Sequence, residues 1–262
     1  YTELAAVTPE AVRLRIRQRQ WTSPTAGLAA GHAQANLVIL PQTYAYEFLL
    51  FCHRNPKPCP LLDVTNPGDP VPDAASDADL RTDLPRYRIY RHGKLDGEAT
   101  DITSYWRDDL VSFLLGCSFT FEASMRRARI PVRHLEEGCN VPMYRTSLLC
   151  RPAGRFAGPL VVSMRPVPHE LVARAIQVTS RYPLAHGAPM HIGDPAAIGI
   201  ADLSRPDYGD PVMVRPGEVP LFWGCGVTPQ AIAQQTKPTL MITHVPGHMF
   251  ITDLRDEDLS IW

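Results

Sequence analysis

Lysine is scarce in this chain of 262 residues. Only three of the 26 basic residues are lysines, and Lys57, Lys94 and Lys237 each stand beside proline or glycine. Such positions are typical of turns. Enzymes that use pyridoxal phosphate need a lysine to form the Schiff base with the cofactor. Three lysines in loops argue against such a site, so we expect no pyridoxal phosphate in this protein.

Several motifs that define other protein classes are also absent. The chain has no Walker loop, no G-x-G-x-x-G after a strand, no H-E-x-x-H, no G-x-S-x-G and no C-x-x-C, which weakens nucleotide, dinucleotide and structural-zinc interpretations. No apolar run approaches the ~20 residues of a membrane helix. A formal net charge of −1 gives no general attraction to nucleic acid or anionic lipid. We therefore expect no nucleotide, nucleic acid or membrane partner.

The cysteines suggest a reducing compartment. They are scattered, no N-glycosylation sequon is present, and the start of the chain has no apolar signal segment. A chain of this size can build a core without disulfides. We expect a cytoplasmic protein with free thiols, and the sequence leaves a homo-oligomer open. The six thiols are those of Cys52, Cys59, Cys117, Cys139, Cys150 and Cys225.

Proline is over-represented, with 26 copies, about twice its average share, and it divides the chain into short elements. Thr8 before Pro9 predicts the N-cap of a first helix. Short apolar strands are then predicted at 36–40 and 61–65, on either side of a helix at 44–54. This alternation of strand and helix is typical of an α/β fold.

The next part of the chain changes in pattern. A helix is predicted over 101–115, because acidic residues open that stretch. Two strands at 143–151 and 160–165 then precede a helix that starts at Pro168, an order that suits a two-layer α+β unit. Alternation returns with a strand at 219–223 and the helix that follows it.

These patterns predict a two-domain organisation of the α/β class. The main domain is expected to be a layered α/β/α unit formed by residues 1–115 and 184–262. A smaller two-layer α+β domain, residues 116–183, is expected to be inserted into it.

A glycine turn is the clearest candidate for binding an acid. Gly224 and Gly226 lie between the predicted strand and a helix that begins near Thr228, where unpaired N–H groups can hold a carboxylate or an oxyanion. The field of that helix would lower the pKa of Cys225 and make it a nucleophile. The alternative is a tight structural turn with Cys225 as a small buried residue.

Two segments rich in histidine offer acid–base or metal-binding groups. His191 and Asp194 could pair as base and orienting carboxylate, or share a divalent ion; alternatively, Asp194 caps the segment that begins at Pro195. His244 and His248 have the spacing of a metal pair, but the Pro-Gly between them prevents a helix. A role as core histidines is the alternative for each.

Three charged residues lie among apolar neighbours. A partly buried Glu122 would have a raised pKa and could act as an acid or base; the alternative places it in the first turn of a helix. Arg145 and Arg165 stand at buried strands, where arginine usually binds a planar acid. That acid could belong to the substrate or, more commonly, to the protein.

Eight ordered motifs spanning nearly the whole chain are familiar: Gln34-Ala-Asn-Leu, Arg81-Thr-Asp-Leu-Pro-Arg-Tyr-Arg, Gly116-Cys-Ser-Phe-Thr-Phe-Glu, Asn140-Val-Pro-Met-Tyr-Arg-Thr, Val162-Ser-Met-Arg-Pro, His186-Gly-Ala-Pro-Met-His-Ile-Gly-Asp-Pro, Phe222-Trp-Gly-Cys-Gly-Val-Thr-Pro-Gln and Thr243-His-Val-Pro-Gly-His-Met. The sequence resembles the D-glutamate cyclase family, whose bacterial members are also called hydro-lyases. The resemblance implies a two-domain α/β fold, conversion of D-glutamate to 5-oxo-D-proline and water, and dependence on a divalent metal such as manganese.

The residues suggest roles in that reaction. His191, oriented by Asp194, is the expected base, Glu122 the proton donor, and Arg165 or, second, Arg145 the group that binds the substrate carboxylate. The turn at Gly224, Gly226 and Thr228 would bind the developing oxyanion, and Cys225 is a weaker candidate nucleophile. This hypothesis requires the glycine turn, the histidine loop and one arginine to face a common cavity. Dehydration of another small carboxylic acid, and a non-catalytic acid-binding protein, are the alternatives.

Overall fold

The structure is a computed structural model that describes residues 6–261, apart from the side chain of Gln234. Residues 1–5 and 262 of the predicted main domain lie outside this range. Along the chain the elements are α1 (Pro9–Arg17), β1 (His32–Pro41), α2 (Gln42–Arg54), β2 (Leu61–Val64), β3 (Tyr87–Arg91), β4 (Lys94–Ala99), β5 (Leu110–Gly116), α3 (Phe119–Arg127), α4 (Arg133–Glu136), β6 (Met143–Leu149), β7 (Pro159–Pro168), α5 (Val172–Ser180), β8 (His191–Ile192), β9 (Glu218–Gly224), α6 (Thr228–Thr236), β10 (Met241–His244) and β11 (Phe250–Arg255).

The strands form two sheets. The first has seven strands in the order β2-β5-β1-β10-β3-β4, with β11 also paired to β1. The second has four strands in the order β6-β7-β9-β8. All strand pairs in both sheets are antiparallel. The mixed α/β class predicted from the sequence is confirmed, whereas the α/β/α layering and the inserted domain stay predictions.

The largest hydrophobic core joins both sheets to α2. Phe48 of α2 lies 4.8 Å from Phe113 of β5 and 5.2 Å from Phe156, measured between ring centroids. Met164 of β7 and Phe222 of β9 belong to the same cluster. Burying these aromatic rings contributes several kcal/mol, at about 25 cal/mol per Å² of apolar surface. No helix within residues 6–261 is long and apolar enough to cross a bilayer.

Two features of the fold differ from the prediction. Residues 101–115 are not a helix: a 3-10 turn, Thr103–Tyr105, precedes β5, and all seven residues of β5 are buried. The apolar run is short enough to be a strand buried on both faces, and burial decided its conformation. The strand predicted at 219–223, assigned to the main domain, is β9, which pairs with β7 in the second sheet. The strands of the second sheet therefore extend beyond residue 183.

Candidate functional site

Glu122 and Arg165 meet inside the protein. Arg165 Nε donates a hydrogen bond to Glu122 Oε1 over 3.1 Å, and Arg165 Nη2 donates to the same oxygen. Arg165 also donates to the hydroxyls of Ser118 (3.0 Å) and Ser163 (3.2 Å). His134 Nε2 lies 3.2 Å from Glu122 Oε1. All five residues are buried, so Arg165 binds a carboxylate of the protein itself.

This arrangement makes Glu122 a buried anion. Burial alone would raise the pKa of its carboxyl, but the neighbouring His134 ring and Arg165 guanidinium outweigh that effect and lower the pKa to about 2. The raised pKa expected from the sequence is therefore wrong. Glu122 is ionised at neutral pH, and it has no proton to donate there. The rings of Phe121 and Trp223 lie 5.4 Å from the Arg165 guanidinium and complete its enclosure.

The glycine turn is packed against the protein on both sides. Cys225 N donates to Val161 O over 3.0 Å, and the Thr228 hydroxyl donates to Cys225 O over 2.6 Å. A Cβ on Gly226 would overlap the side chain of Asn36, and one on Gly224 would lie 2.9 Å from Lys57 O. Glycine is required here for close packing, as in the structural alternative.

Cys225 is not an activated thiol. The residue is 8% exposed, and burial raises its pKa to about 11. The field of α6 was expected to lower that pKa, but desolvation of the thiolate is the larger effect. Cys225 as a nucleophile would therefore carry almost no thiolate at neutral pH.

His191 and Asp194 contact each other, but not through both side chains. His191 Nε2 lies 2.7 Å from the backbone oxygen of Asp194. The Asp194 carboxylate accepts a hydrogen bond of 3.0 Å from Ala196 N and caps the 3-10 turn Pro195–Ile198. Capping was the structural alternative for Asp194. The expected pairing of the imidazole with the carboxylate is absent.

His191 and Arg165 lie on opposite faces of the second sheet. Phe222 of β9 pairs with Met164 on one side and with His191 on the other, whereas its neighbour Leu221 pairs with Arg165. Directly paired residues share a face, and successive residues in a strand alternate. A common cavity for His191 and Arg165, the expected base and the expected carboxylate-binding group, is therefore wrong.

In both His244 and His248, the Nδ1 atom of the ring contacts a backbone atom of the protein. His244 is fully buried, its Nδ1 accepts a hydrogen bond of 3.2 Å from Leu37 N, and burial lowers its pKa to about 3. His248 Nδ1 lies 3.1 Å from Pro246 O.

No group of three or more His, Cys, Asp or Glu side chains in the described part of the chain is placed to hold a metal ion. His191, Asp194, His244 and His248 do not fit a manganese site here, and we derive no step through a metal.

A polar cavity of about 480 Å³ lies between the two sheets. Arg88 of β3 and Val245, directly after β10, line it from the first sheet. The other wall is a segment, residues 207–210, that pairs with β6 through hydrogen bonds between Tyr208 and Met143. The residues that carry the polar groups of this cavity are Arg88, Asn140, Asp207, Tyr208 and Asp210.

Arg88 is held on two sides and open on the third. Its Nε donates to Glu98 Oε1 over 3.0 Å, and its Nη1 donates to Gln230 Oε1 over 3.4 Å. Nη2 makes no hydrogen bond to any residue that the structure describes. A guanidinium held in this way presents N–H groups to a carboxylate in the cavity.

The opposite wall carries negative charge. Asp207 Oδ2 accepts a hydrogen bond of 2.8 Å from Arg145 N, and Asp210 Oδ2 accepts one of 2.9 Å from Asn140 N. The second oxygen of each carboxylate has no hydrogen-bond partner within 6–261. Arg145 Nη2 donates to the Tyr208 hydroxyl oxygen over 2.9 Å. Arg145 thus reaches the cavity through Tyr208.

The sequence did not single out Arg88, Asn140, Tyr208 or Gln230 as site residues. A signal was present for three of them, since Arg88 and Gln230 end recognised motifs and Asn140 begins another. Tyr208 lies outside all eight motifs, in a loop without a distinctive pattern. His134, beside Glu122, was missed for the same reason.

Known proteins resemble this chain along its whole length. The family model described as D-glutamate cyclase matches residues 111–253. A protein of Stutzerimonas stutzeri named "Putative hydro-lyase" is 63% identical over 97% of each chain. A Geobacillus kaustophilus protein with the same designation is 61% identical over 99% of each chain. "Putative hydro-lyase YcsI" of Bacillus subtilis is 60% identical over 97% of this chain and 100% of its own.

The fold is of the mixed α/β class, and these matches identify the chain as an enzyme of the carbon–oxygen lyase class, a hydro-lyase. The chain belongs to the D-glutamate cyclase family.

Proposed function

We propose that this enzyme converts D-glutamate to 5-oxo-D-proline and water in the polar cavity between the two sheets. The observation that carries the proposal is the opposite charge of the two cavity walls. Arg88 supplies positive charge on one side, and Asp207 and Asp210 supply negative charge on the other. A zwitterion with an additional carboxylate, such as glutamate, complements both walls.

The reaction closes a ring within one molecule. The lone pair of the amine attacks the γ-carboxyl carbon, the new C–N bond forms, and a C–O bond of the tetrahedral intermediate breaks. Two protons leave the nitrogen, and the departing oxygen leaves as water after gaining two protons. Holding the folded conformer of the substrate removes up to about 7–11 kcal/mol of the barrier in well-oriented cases.

The side chains that line the cavity suggest which group accepts and which group donates each proton. The free oxygen of Asp207 or Asp210 accepts a proton from the substrate ammonium. Because Arg145 donates to the Tyr208 oxygen, the Tyr208 O–H remains available to donate to the departing oxygen. Arg88 binds a substrate carboxylate with its free N–H groups. In this proposal the acid–base work is done at the cavity, without His191, Glu122 or Cys225.

The direct test is product formation by the purified protein. D-glutamate is incubated with the enzyme, with and without manganese, and 5-oxo-D-proline is measured by mass spectrometry, with L-glutamate as the stereochemical control. We expect product from D-glutamate. Absence of 5-oxoproline under both metal conditions would show that the proposed reaction is wrong.

A matched pair of variants locates the site. Arg88→Gln should lower kcat/KM by about 10- to 100-fold, because a charged hydrogen bond of 1.5–3 kcal/mol is lost. Arg91→Gln is the control: Arg91 lies on the same strand and pairs with Asp96 of the same hairpin, but it points to the other face. Equal losses in both variants would place the site elsewhere.

The acidic wall also separates this reaction from dehydration of a hydroxy acid. Asp207 and Asp210 bind an ammonium group better than a neutral hydroxyl. We expect 2-hydroxyglutarate to be a poor substrate and a weak competitor. Turnover of 2-hydroxyglutarate at the rate of D-glutamate would favour the alternative.

A further inference from the structure

Gln230 joins the two strands that flank the cavity. The residue is 1% exposed and lies in the first turn of α6. Its Nε2 donates to His244 O over 2.7 Å, at the end of β10. Its Oε1 accepts from Arg88 Nη1 and from the Tyr90 hydroxyl on β3, each over 3.4 Å. Both polar atoms of this buried amide therefore make hydrogen bonds within the protein.

The amide has one orientation. Nε2 must face the His244 carbonyl, because a carbonyl only accepts hydrogen bonds. Oε1 is then directed at the Arg88 guanidinium. The His244 carbonyl is itself well anchored, since the buried His244 ring bonds to the backbone of Leu37 in β1. Hydrogen bonds thus connect Arg88, through Gln230 and His244, to β1 in the first sheet.

A neutral acceptor has a specific advantage at this position. Glu98, on β4, already partly neutralises the Arg88 side chain at Nε. A second carboxylate at Nη1 would cancel the positive charge that attracts a substrate acid. A carboxamide oxygen holds the guanidinium without adding charge, and it removes rotamer freedom before the substrate arrives.

We infer that Gln230 is a positioning residue that holds the Arg88 guanidinium toward the polar cavity without adding a negative charge beside it, so that the guanidinium can bind a substrate carboxylate. The inference rests on the proposed function for the identity of the substrate, but the contact between Gln230 and Arg88 can be tested without substrate.

The first test measures how firmly Arg88 is held. Wild type, Gln230→Met and Gln235→Met are treated with phenylglyoxal, an arginine-selective reagent, and labelling of Arg88 is followed by peptide mass spectrometry. Gln235 is the matched control, because it lies exposed on the same helix. We expect labelling of Arg88 to become about tenfold faster in Gln230→Met only. An unchanged rate in a folded Gln230→Met protein would overturn the inference.

The second test uses Gln230→Glu, which keeps the acceptor oxygen and adds a charge. Arg88 should stay protected from phenylglyoxal, while KM for D-glutamate rises about tenfold with a smaller change in kcat. This variant also serves if Gln230→Met does not fold. Fast labelling of Arg88 in a folded Gln230→Glu protein would contradict the inference.

A double-mutant cycle separates positioning from a general structural role. If Gln230 acts through Arg88, adding Gln230→Met to Arg88→Gln should raise KM no further. Additive effects of the two changes would refute the inference. If the wild type makes no 5-oxoproline, the proposed reaction fails, yet the labelling rates still decide the role of Gln230.

Discussion

Glu122 of α3 and Arg165 of β7 form a buried ion pair in which two guanidinium N–H groups meet a single carboxylate oxygen. The side chain of Glu122 is 5% exposed and that of Arg165 is fully buried. Desolvating two charges is costly, and the pair is stable because Ser118, Ser163 and His134 surround it with polar contacts. It attaches the start of α3 to the second sheet.

Removing one partner of this pair should destabilise the fold. Arg165→Met leaves the Glu122 charge buried and unpaired, so we expect a loss of about 3–5 kcal/mol in the free energy of unfolding, measured by urea denaturation. The double variant Arg165→Met/Glu122→Gln should lose less than the sum of the single changes. Glu47→Gln, which weakens the partly exposed pair with Arg155, is the control and should cost at most about 1 kcal/mol. A cost for Arg165→Met as small as that of the control would be inconsistent with a buried pair.

Asp256 should make the protein less stable as pH rises. Its Oδ1 is buried without a hydrogen-bond partner in the described range, and burial raises its pKa to about 7. The folded state then keeps a proton that the unfolded chain releases near pH 4, so stability falls between about pH 4 and pH 7. Asp256→Asn should be more stable than wild type at pH 8, by up to about 4 kcal/mol, and equal to it at pH 4.

The measurement is the urea midpoint of both proteins across that pH range. Glu10→Gln, which changes an exposed carboxyl, serves as the control and should follow the wild-type curve. A difference between Asp256→Asn and wild type that does not vary with pH would rule out titration of Asp256 as the cause.

His186 should make the protein less stable as pH falls, the opposite of the effect of Asp256. The ring is buried, its Nδ1 lies 2.5 Å from Lys57 O, and burial lowers its pKa to about 4. Below about pH 6.5 the His186 ring binds a proton in the unfolded chain but not in the folded state. Stability is therefore lost as pH falls from 6.5 toward 4. His186→Asn should lose about 1–3 kcal/mol less than wild type between pH 7 and pH 4.

Asparagine is the suitable replacement because His186 has a φ of +76°, a left-handed conformation that asparagine tolerates. His169→Asn, at a side chain that is 76% exposed, is the control. Thermal unfolding at several pH values measures both. Parallel curves for His186→Asn and wild type would argue against a contribution from His186.

Cys225 should react slowly with iodoacetamide in the folded protein. With a pKa of about 11, only about one molecule in 10⁴ carries the thiolate at pH 7. We expect Cys139, the one partly exposed cysteine among those described, to be alkylated first, and Cys225 only after unfolding. Cys225→Ala should retain most of the turnover, measured as 5-oxoproline formed. A Cys225→Ala protein that folds and has lost activity would restore the thiol as a catalytic candidate.

Local sequence patterns predicted several elements correctly. Thr8 and Pro9 begin α1, and the Thr8 hydroxyl accepts the Ala11 N–H as an N-cap. The apolar run at 36–40 lies in β1, and the capping alternative for Asp194 was correct. These features depend on residues only a few positions apart, so they can be read without knowing the fold.

The helix predicted at 101–115 is wrong, because the conformation of this segment depends on strands that are distant in the sequence. Its acidic residues and apolar stretch are compatible with a helix, but β1 and β2 pair with Leu110–Gly116 on both sides. Those partners lie far away in the sequence. Pairing and burial outweighed the weak local preference.

By itself, the sequence determined the α/β class and the family, and it predicted a planar acid as the partner of Arg165. Only the tertiary structure decided that this acid is Glu122, 43 residues away, rather than a substrate. It also brought Arg88, Asn140 and Asp210 around one cavity. Capping and apolar patterns act over one or two turns of chain, whereas the partner of a buried charge depends on which distant strands pair and which faces they turn toward each other.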